Sequence, residues 1–237
     1  MVVGTAGWAI SRQEAGRFSA EGTSLERYAS LFRGAEINSS FHRPHRLSTW
    51  QRWRDSVPAD FRFSVKLPKT VSHKAKLVGC GDEVERFLGE AQELGDKLAI
   101  LLLQLPPSFA FEAARVEDFL ADLAARTATP IACEPRHASW FEPEPDALLA
   151  RLRVARVAAD PAIVPAAAEP GGWRGLAYWR LHGSPVKYRS SYGDGRLDGL
   201  ARAVCEAGDA WCIFDNTASS AATGDALGLL DRLAPAL

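Results

Sequence analysis

Ala99-Ile100-Leu101-Leu102-Leu103-Gln104-Leu105-Pro106-Pro107 decides how this chain folds. The run is apolar at nearly every position, as a strand buried on both faces must be, and the double proline stops it. Periodicity alone would also allow a buried helix segment, but the shortness of the run and its prolines favour a strand. A strand with no wet face belongs to a parallel sheet covered by helices, so the flanking sequence should alternate strand with helix.

It does. Strand-like runs occur at Val2–Thr5, Ala35–Asn38, Phe61–Lys66, Leu98–Gln104, Pro130–Glu134, Ala155–Asp160, Gly175–Leu181 and Trp211–Phe214. Helical periodicity is expected over Leu25–Phe32, Glu83–Leu94, Ala113–Ala125, Asp146–Arg153, Leu197–Glu206 and Asp225–Leu233. Thr23-Ser24-Leu25-Glu26 has the form of a capping box. Between the second and third strands, Ser48–Arg54 predicts only a short or irregular helix. Pro161–Pro170 reads as a surface loop. Eight strands in 237 residues predict an α/β fold made of a single-domain (β/α)8 barrel spanning residues 1–237.

Composition excludes several classes. Hydrophobic residues make up 47% and charged residues 24%, with a net charge of -1, so no global field would hold a polyanion. No apolar run reaches the roughly 18 residues of a membrane helix, and the N-terminus lacks a charged segment leading into an apolar one; a cytoplasmic protein with no membrane partner is expected. Cys80, Cys133, Cys205 and Cys212 form no C-x-x-C pair and read as reduced thiols.

The strand runs end repeatedly in ionisable or amide residues, which a purely structural barrel does not need and a binding rim does. Residues two apart on a strand share a face, so Glu36 with Asn38, Glu134 with Arg136, and Arg180 with His182 should enter one cavity. Glu134 is the expected general base and His182 the expected acid or proton shuttle, with Glu36 beside them. Lys66, Arg136 and Arg180 are expected to hold an anion or stabilise a transition state, Lys66 by pairing with a carboxylate or phosphate rather than by forming a Schiff base. Asn38 and Gln104 should orient the ligand, Trp8 and Trp140 should wall the pocket, and His73, His137 and Asn216 complete the expected binding set.

Gly183–Gly193 supplies Lys187, Arg189, hydroxyls and flexible backbone, as the seventh loop of an anion-binding barrel would. No G-x-G-x-x-G, Walker or G-x-S-x-G motif is present, so no nucleotide cofactor or hydrolase elbow is expected. Glu36, Glu134, Asp160 and His182 are the residue types of a divalent-cation site, but their spacing is not diagnostic and no metal ligand is assigned; a metal-dependent phosphoesterase or sugar isomerase is the alternative reading. Trp50-Gln51-Arg52-Trp53-Arg54, with Arg43 and Arg46 nearby, suggests base stacking by a nucleic-acid or protein adaptor. The helical spacing of Trp50, Trp53 and Val57 is more often core packing, so nucleic acid is not the expected partner.

Six blocks also resemble a known family: Gly4–Trp8, Glu36–Phe41, Phe63–Lys66 with Ser72-His73, Gln104–Phe109, Glu134–Trp140 and Tyr178–Gly183. In order and spacing they are similar to the domain-of-unknown-function 72, or YecE-like, family. That resemblance implies a TIM-barrel-like fold and no assigned activity. The chain departs from the family's pattern at Ser72, Pro135, Asp215, Ser220 and Asp225, where threonine, an aromatic residue, asparagine, glycine and asparagine are usual. The combined expectation is a barrel enzyme doing acid/base chemistry on a small polar, anionic metabolite.

Overall fold

The computed structural model describes residues 1–234. Its strands are β1 (Val2–Thr5), β2 (Gly34–Ile37), β3 (Arg62–Lys66), β4 (Leu98–Gln104), β5 (Ile131–Glu134), β6 (Val154–Arg156), β7 (Ala158–Asp160), β8 (Gly171–Gly172), β9 (Ala177–Leu181) and β10 (Ala210–Phe214). Parallel ladders run β2-β3-β4-β5-β6 and β1-β10-β9-β7. An Ala6–Glu36 bridge joins the two ladders at β1 and β2, and β7 follows directly on β6 at the other junction, so the staves close into an α/β barrel.

The sixth stave is not the single strand expected over Ala155–Asp160. Val157 still donates to Cys133 O of β5 at 2.8 Å, and beyond it β7 turns to pair with β9. The expected loop over Pro161–Pro170 contains a 3-10 turn at Pro165–Ala168. It is followed by β8, which adds antiparallel to β6. A β-carbon at Gly172 (φ +62°) would sit 2.6 Å from Val154 O, so only glycine fits.

The helices α1 (Ser24–Tyr28), α2 (Leu47–Asp55), α3 (Gly81–Ala91), α4 (Ala113–Arg126), α5 (Pro143–Arg151), α6 (Asp194–Ala207) and α7 (Ala221–Leu233) cover the staves. The expected capping box is formed: Glu26 N donates to Thr23 Oγ1, and Thr23 N donates to Glu26 Oε2 at 2.6 Å. Helix α1 ends four residues earlier than expected and α3 three earlier, the latter because Gly95 takes a non-helical conformation in the 3-10 turn that follows.

The barrel interior is layered. Its floor is apolar, built from Ile100, Leu102, Ala132, Ala155, Leu176, Trp211 and Ile213, with Tyr178 stacked on Trp211 at 6.2 Å between ring centroids. A larger apolar layer between staves and helices contains Trp50, fully buried, with Trp53 edge-on to it at 5.3 Å. That stripe is core packing, and its burial leaves Trp50 no face for a base. No helix among the described residues is long and apolar enough to cross a membrane.

Candidate active site

Strand alternation determines which residues enter the barrel above its floor. Tyr178, Arg180 and His182 face inward from β9 and its end, Ser64 and Lys66 from β3, Glu36 from β2, Gln104 from β4, Glu134 and Arg136 from β5 and its end, and Asp215 from the end of β10. The centre is Arg180, fully buried. Its Nε and Nη2 bind Glu36 Oε2 and Oε1 at 2.9 and 2.6 Å, Nη1 binds Glu134 Oε2 at 2.7 Å, and Nη2 reaches Asp215 Oδ2 at 3.1 Å. Tyr178 closes this layer from below, its hydroxyl donating to Glu36 Oε2 at 3.1 Å and lying 2.9 Å from Ser64 Oγ.

Glu134 is tied on both oxygens. Oε1 meets Arg136 Nη2 at 2.6 Å and His182 Nε2 at 2.9 Å; Oε2 accepts from Arg180 and from Gln104 Nε2, the latter at 2.8 Å. Burial pushes its pKa up, but Arg180 and Arg136 outweigh that and hold the carboxyl well below the usual range. The carboxylate form of Glu134 is thus the one its neighbours favour, and the donors of Arg180 are engaged by three carboxylates.

His182 lies between two carboxylates. Nδ1 is 2.9 Å from Asp215 Oδ2, and Nε2 is 2.9 Å from both Glu134 Oε1 and Arg136 Nη2. With Nδ1 donating to Asp215, Nε2 accepts from Arg136 when the ring is neutral and donates to Glu134 when it is an imidazolium. Nε2 thus has a partner for either role. Tyr188, in the left-handed region at φ +67°, sets its ring edge-on over the imidazole at 5.6 Å.

Among the described residues the Lys66 ammonium has no ion-pair or hydrogen-bond partner; it stands 4.0 Å over the ring of Phe41 and the residue is 5% exposed. Burial, then the charge of Arg180, lower its pKa to about 8 despite Glu36 and Glu134 nearby. Those carboxylates are engaged by Arg180.

Of the remaining expected residues, Asn38 and Arg136 stay at the mouth, each with a buried polar atom lacking a partner, Asn38 Oδ1 and Arg136 Nε. Half-buried Lys187 joins them, its pKa lowered by burial and then by Arg136. His73 is half-buried, edge-on to Phe41 at 5.0 Å, with Nδ1 2.9 Å from Ser72 Oγ. Trp8 packs edge-on against Trp53 and Phe63. Three more of the expected residues have contacts within the chain. Trp140 is fully buried with its indole N–H on Phe109 O, so it offers no face to a ligand. His137 instead caps the turn Ala138–Phe141 by accepting from Ser139 N. Asn216 ties the end of β10 to Ser190 O and Asp225 Oδ2.

Of the residue types of a divalent-cation site, Asp160 pairs with Arg196, while Glu36, Glu134 and Asp215 converge on a guanidinium. Among the described residues no three His, Cys, Asp or Glu side chains are placed to hold a metal ion. Sequence reading missed Asp215, Tyr188 and Phe41. Asp215 was reachable, since it lies two residues beyond inward-facing Ile213. Tyr188 and Phe41 sit in loops whose path no periodicity reveals.

The fold agrees with what the chain is similar to. A DUF72 family protein from Enterococcus faecalis V583 superposes with a TM-score of 0.82 at 19% identity, covering 98% of this chain and 95% of that one. An AP endonuclease, family 2, from Brucella melitensis shares the barrel fold at a TM-score of 0.55 and 14% identity, with 99% of each chain covered. In sequence, 87 residues are 39% identical to the UPF0759 protein YecE of Escherichia coli strain K12, a stretch that is 37% of this chain and 32% of that protein, so the match spans about a third of the curated relative. The model of the family described as "Protein of unknown function DUF72" matches residues 2–236, nearly end to end, and the chain belongs to that family.

Proposed function

We propose that the chain is an enzyme acting by proton transfer on a small anionic, hydroxyl-bearing metabolite bound at the carboxyl-terminal mouth of the barrel. One observation carries this reading: Lys66, Arg136 and Lys187 gather over a layer whose three carboxylates already hold Arg180, so the mouth has a cationic surplus. Buried ammonium and guanidinium groups without full partners are costly unless something anionic completes them. The two orphan atoms add detail. Arg136 Nε asks for an acceptor such as a carboxylate or phosphate oxygen, and Asn38 Oδ1 asks for a donor such as a hydroxyl. His182, held between Asp215 and Glu134, is the proton carrier in this reading.

The test is ligand-induced stabilisation of the whole chain by matched pairs, glycerol 3-phosphate against glycerol and 3-phosphoglycerate against glycerate. A ligand at a hundred times its Kd stabilises by about 2.7 kcal/mol, which moves Tm by roughly 2–4 °C per kcal/mol in a protein of this size. The more highly charged member of each pair should stabilise, and Arg136→Ala with Lys187→Ala should remove the effect. Equal responses to the two members of each pair would sink the reading.

A further inference from the structure

We infer that Lys66 forms a Schiff base with the carbonyl group of the bound metabolite, an inference that rests on the anion-binding reading of the same mouth and narrows its ligand to an aldehyde or ketone bearing a phosphate or carboxylate. The geometry is that of a nucleophilic amine. Lys66 ends β3, points into the barrel above Ser64, and leaves its Nζ without a carboxylate, carbonyl or hydroxyl partner among the described residues. A lysine kept merely for charge would be expected to pair with one of the carboxylates below it; here Arg180 takes them all. Its resting contact is the face of Phe41, which favours the ammonium without consuming a hydrogen-bonding direction.

Desolvation beside another cation is what makes a lysine amine nucleophilic near neutral pH. Burial and Arg180 act in that sense on Lys66, leaving a useful fraction unprotonated close to pH 8. The other mouth groups then have roles. Arg136 and Lys187 hold the anionic end of the ligand, Asn38 takes a hydroxyl, and the carbonyl carbon is left for Nζ. The reaction balances without an oxidant or reductant. The ammonium gives up a proton, and its lone pair adds to the carbonyl carbon, forming a C–N bond as the C–O π electrons move to oxygen. A second proton passes from nitrogen to that oxygen, giving the neutral carbinolamine; its hydroxyl then takes up the first proton and leaves as water as the nitrogen lone pair forms the C=N bond, leaving an iminium of the same charge as the starting ammonium. His73, on the same Phe41 ring and feeling the charge of Lys66, is assigned to carry the proton from nitrogen to the departing hydroxyl.

Reductive trapping tests this. The full chain is incubated at pH 7.5 with glyceraldehyde 3-phosphate, dihydroxyacetone phosphate or pyruvate and sodium cyanoborohydride, then weighed intact and mapped by peptide mass spectrometry. The expected result is one adduct per chain on Lys66, at roughly tenfold the occupancy of any other lysine, as an activated amine requires. Glycerol 3-phosphate should suppress it by competition, and Lys66→Met and Lys66→Arg should both lack it, the second keeping the charge. Labelling spread over surface lysines alike in wild type and both variants overturns the imine. If glycerol 3-phosphate still stabilises that protein, the anion site survives and only the Schiff base falls. A Lys66 adduct in a protein that no anion stabilises would support the imine and remove the anion reading instead.

Discussion

Arg180 grips Glu36 through two parallel contacts, Nε–Oε2 at 2.9 Å and Nη2–Oε1 at 2.6 Å, with both side chains fully buried. Removing one partner of a buried pair strands the other, a loss of about 3–5 kcal/mol, whereas the intact pair adds little. Arg180 has three carboxylates to strand. Arg180→Met is therefore expected to lose at least that range in urea unfolding, and Arg180→Lys to recover only part, because an ammonium cannot reproduce the fork. A loss under about 1 kcal/mol would show that the charged layer does not frame the barrel.

The lowered pKa of Lys66 makes a stability prediction with a definite sign. From the ordinary 10.5 to about 8 is a difference on the order of 3 kcal/mol. Below pH 8 both folded and unfolded states carry the charge and the folded state bears the full penalty. Between pH 8 and 10.5 the unfolded chain binds more protons, so the penalty fades and stability rises with pH. Lys66→Met has no such penalty. Its stability advantage over wild type should thus be largest at pH 7 and shrink towards pH 10 in parallel denaturation curves; an advantage constant with pH would contradict the burial of a charged amine.

Asp215 should fix the tautomer of His182. Nitrogen-detected histidine NMR is expected to show the Nδ1–H form, set by its contact with Asp215. Asp215→Ala should release the ring to both tautomers. A wild-type ring carrying its hydrogen on Nε2 alone would contradict that contact.

Ser220 occupies the left-handed region at φ +63° immediately before α7, where the family pattern has glycine. The strain on a residue with a β-carbon there is about 1–2 kcal/mol, partly offset by the roughly 0.5–1 kcal/mol that glycine loses in chain entropy. Ser220→Gly should raise stability by about 0.5–1 kcal/mol. A lowered Tm in calorimetry would mean that Ser220 makes a compensating interaction.

Much of the fold could be read directly from the chain. The doubly buried run at Leu98–Gln104 and the alternation around it placed the staves to within a residue or two, and the Thr23–Glu26 capping box forms as read. These are local properties: hydrophobic period, proline stops and cap chemistry act over a few residues. The sixth stave was less legible, since Ala155–Asp160 looks like one strand and only its two different neighbours break it at Val157.

For the site, the two-residue period of strands was enough to bring Glu36, Glu134, Arg136, Arg180 and His182 to one place, because alternation on a barrel stave admits only inside or outside. It could not allocate partners among them. Which carboxylate meets which cation depends on distances across the barrel, between residues up to 144 positions apart in Glu36 and Arg180. In a medium of low dielectric, that allocation determines whether a charge is stabilised or left open. By engaging all three carboxylates, Arg180 leaves Lys66 without a partner among the described residues. The sequence by itself therefore determined the barrel and the set of charged residues on its rim, through short-range pattern; the tertiary structure alone decided which of them are neutralised and which remain available for chemistry, through contacts that exist only after the staves close.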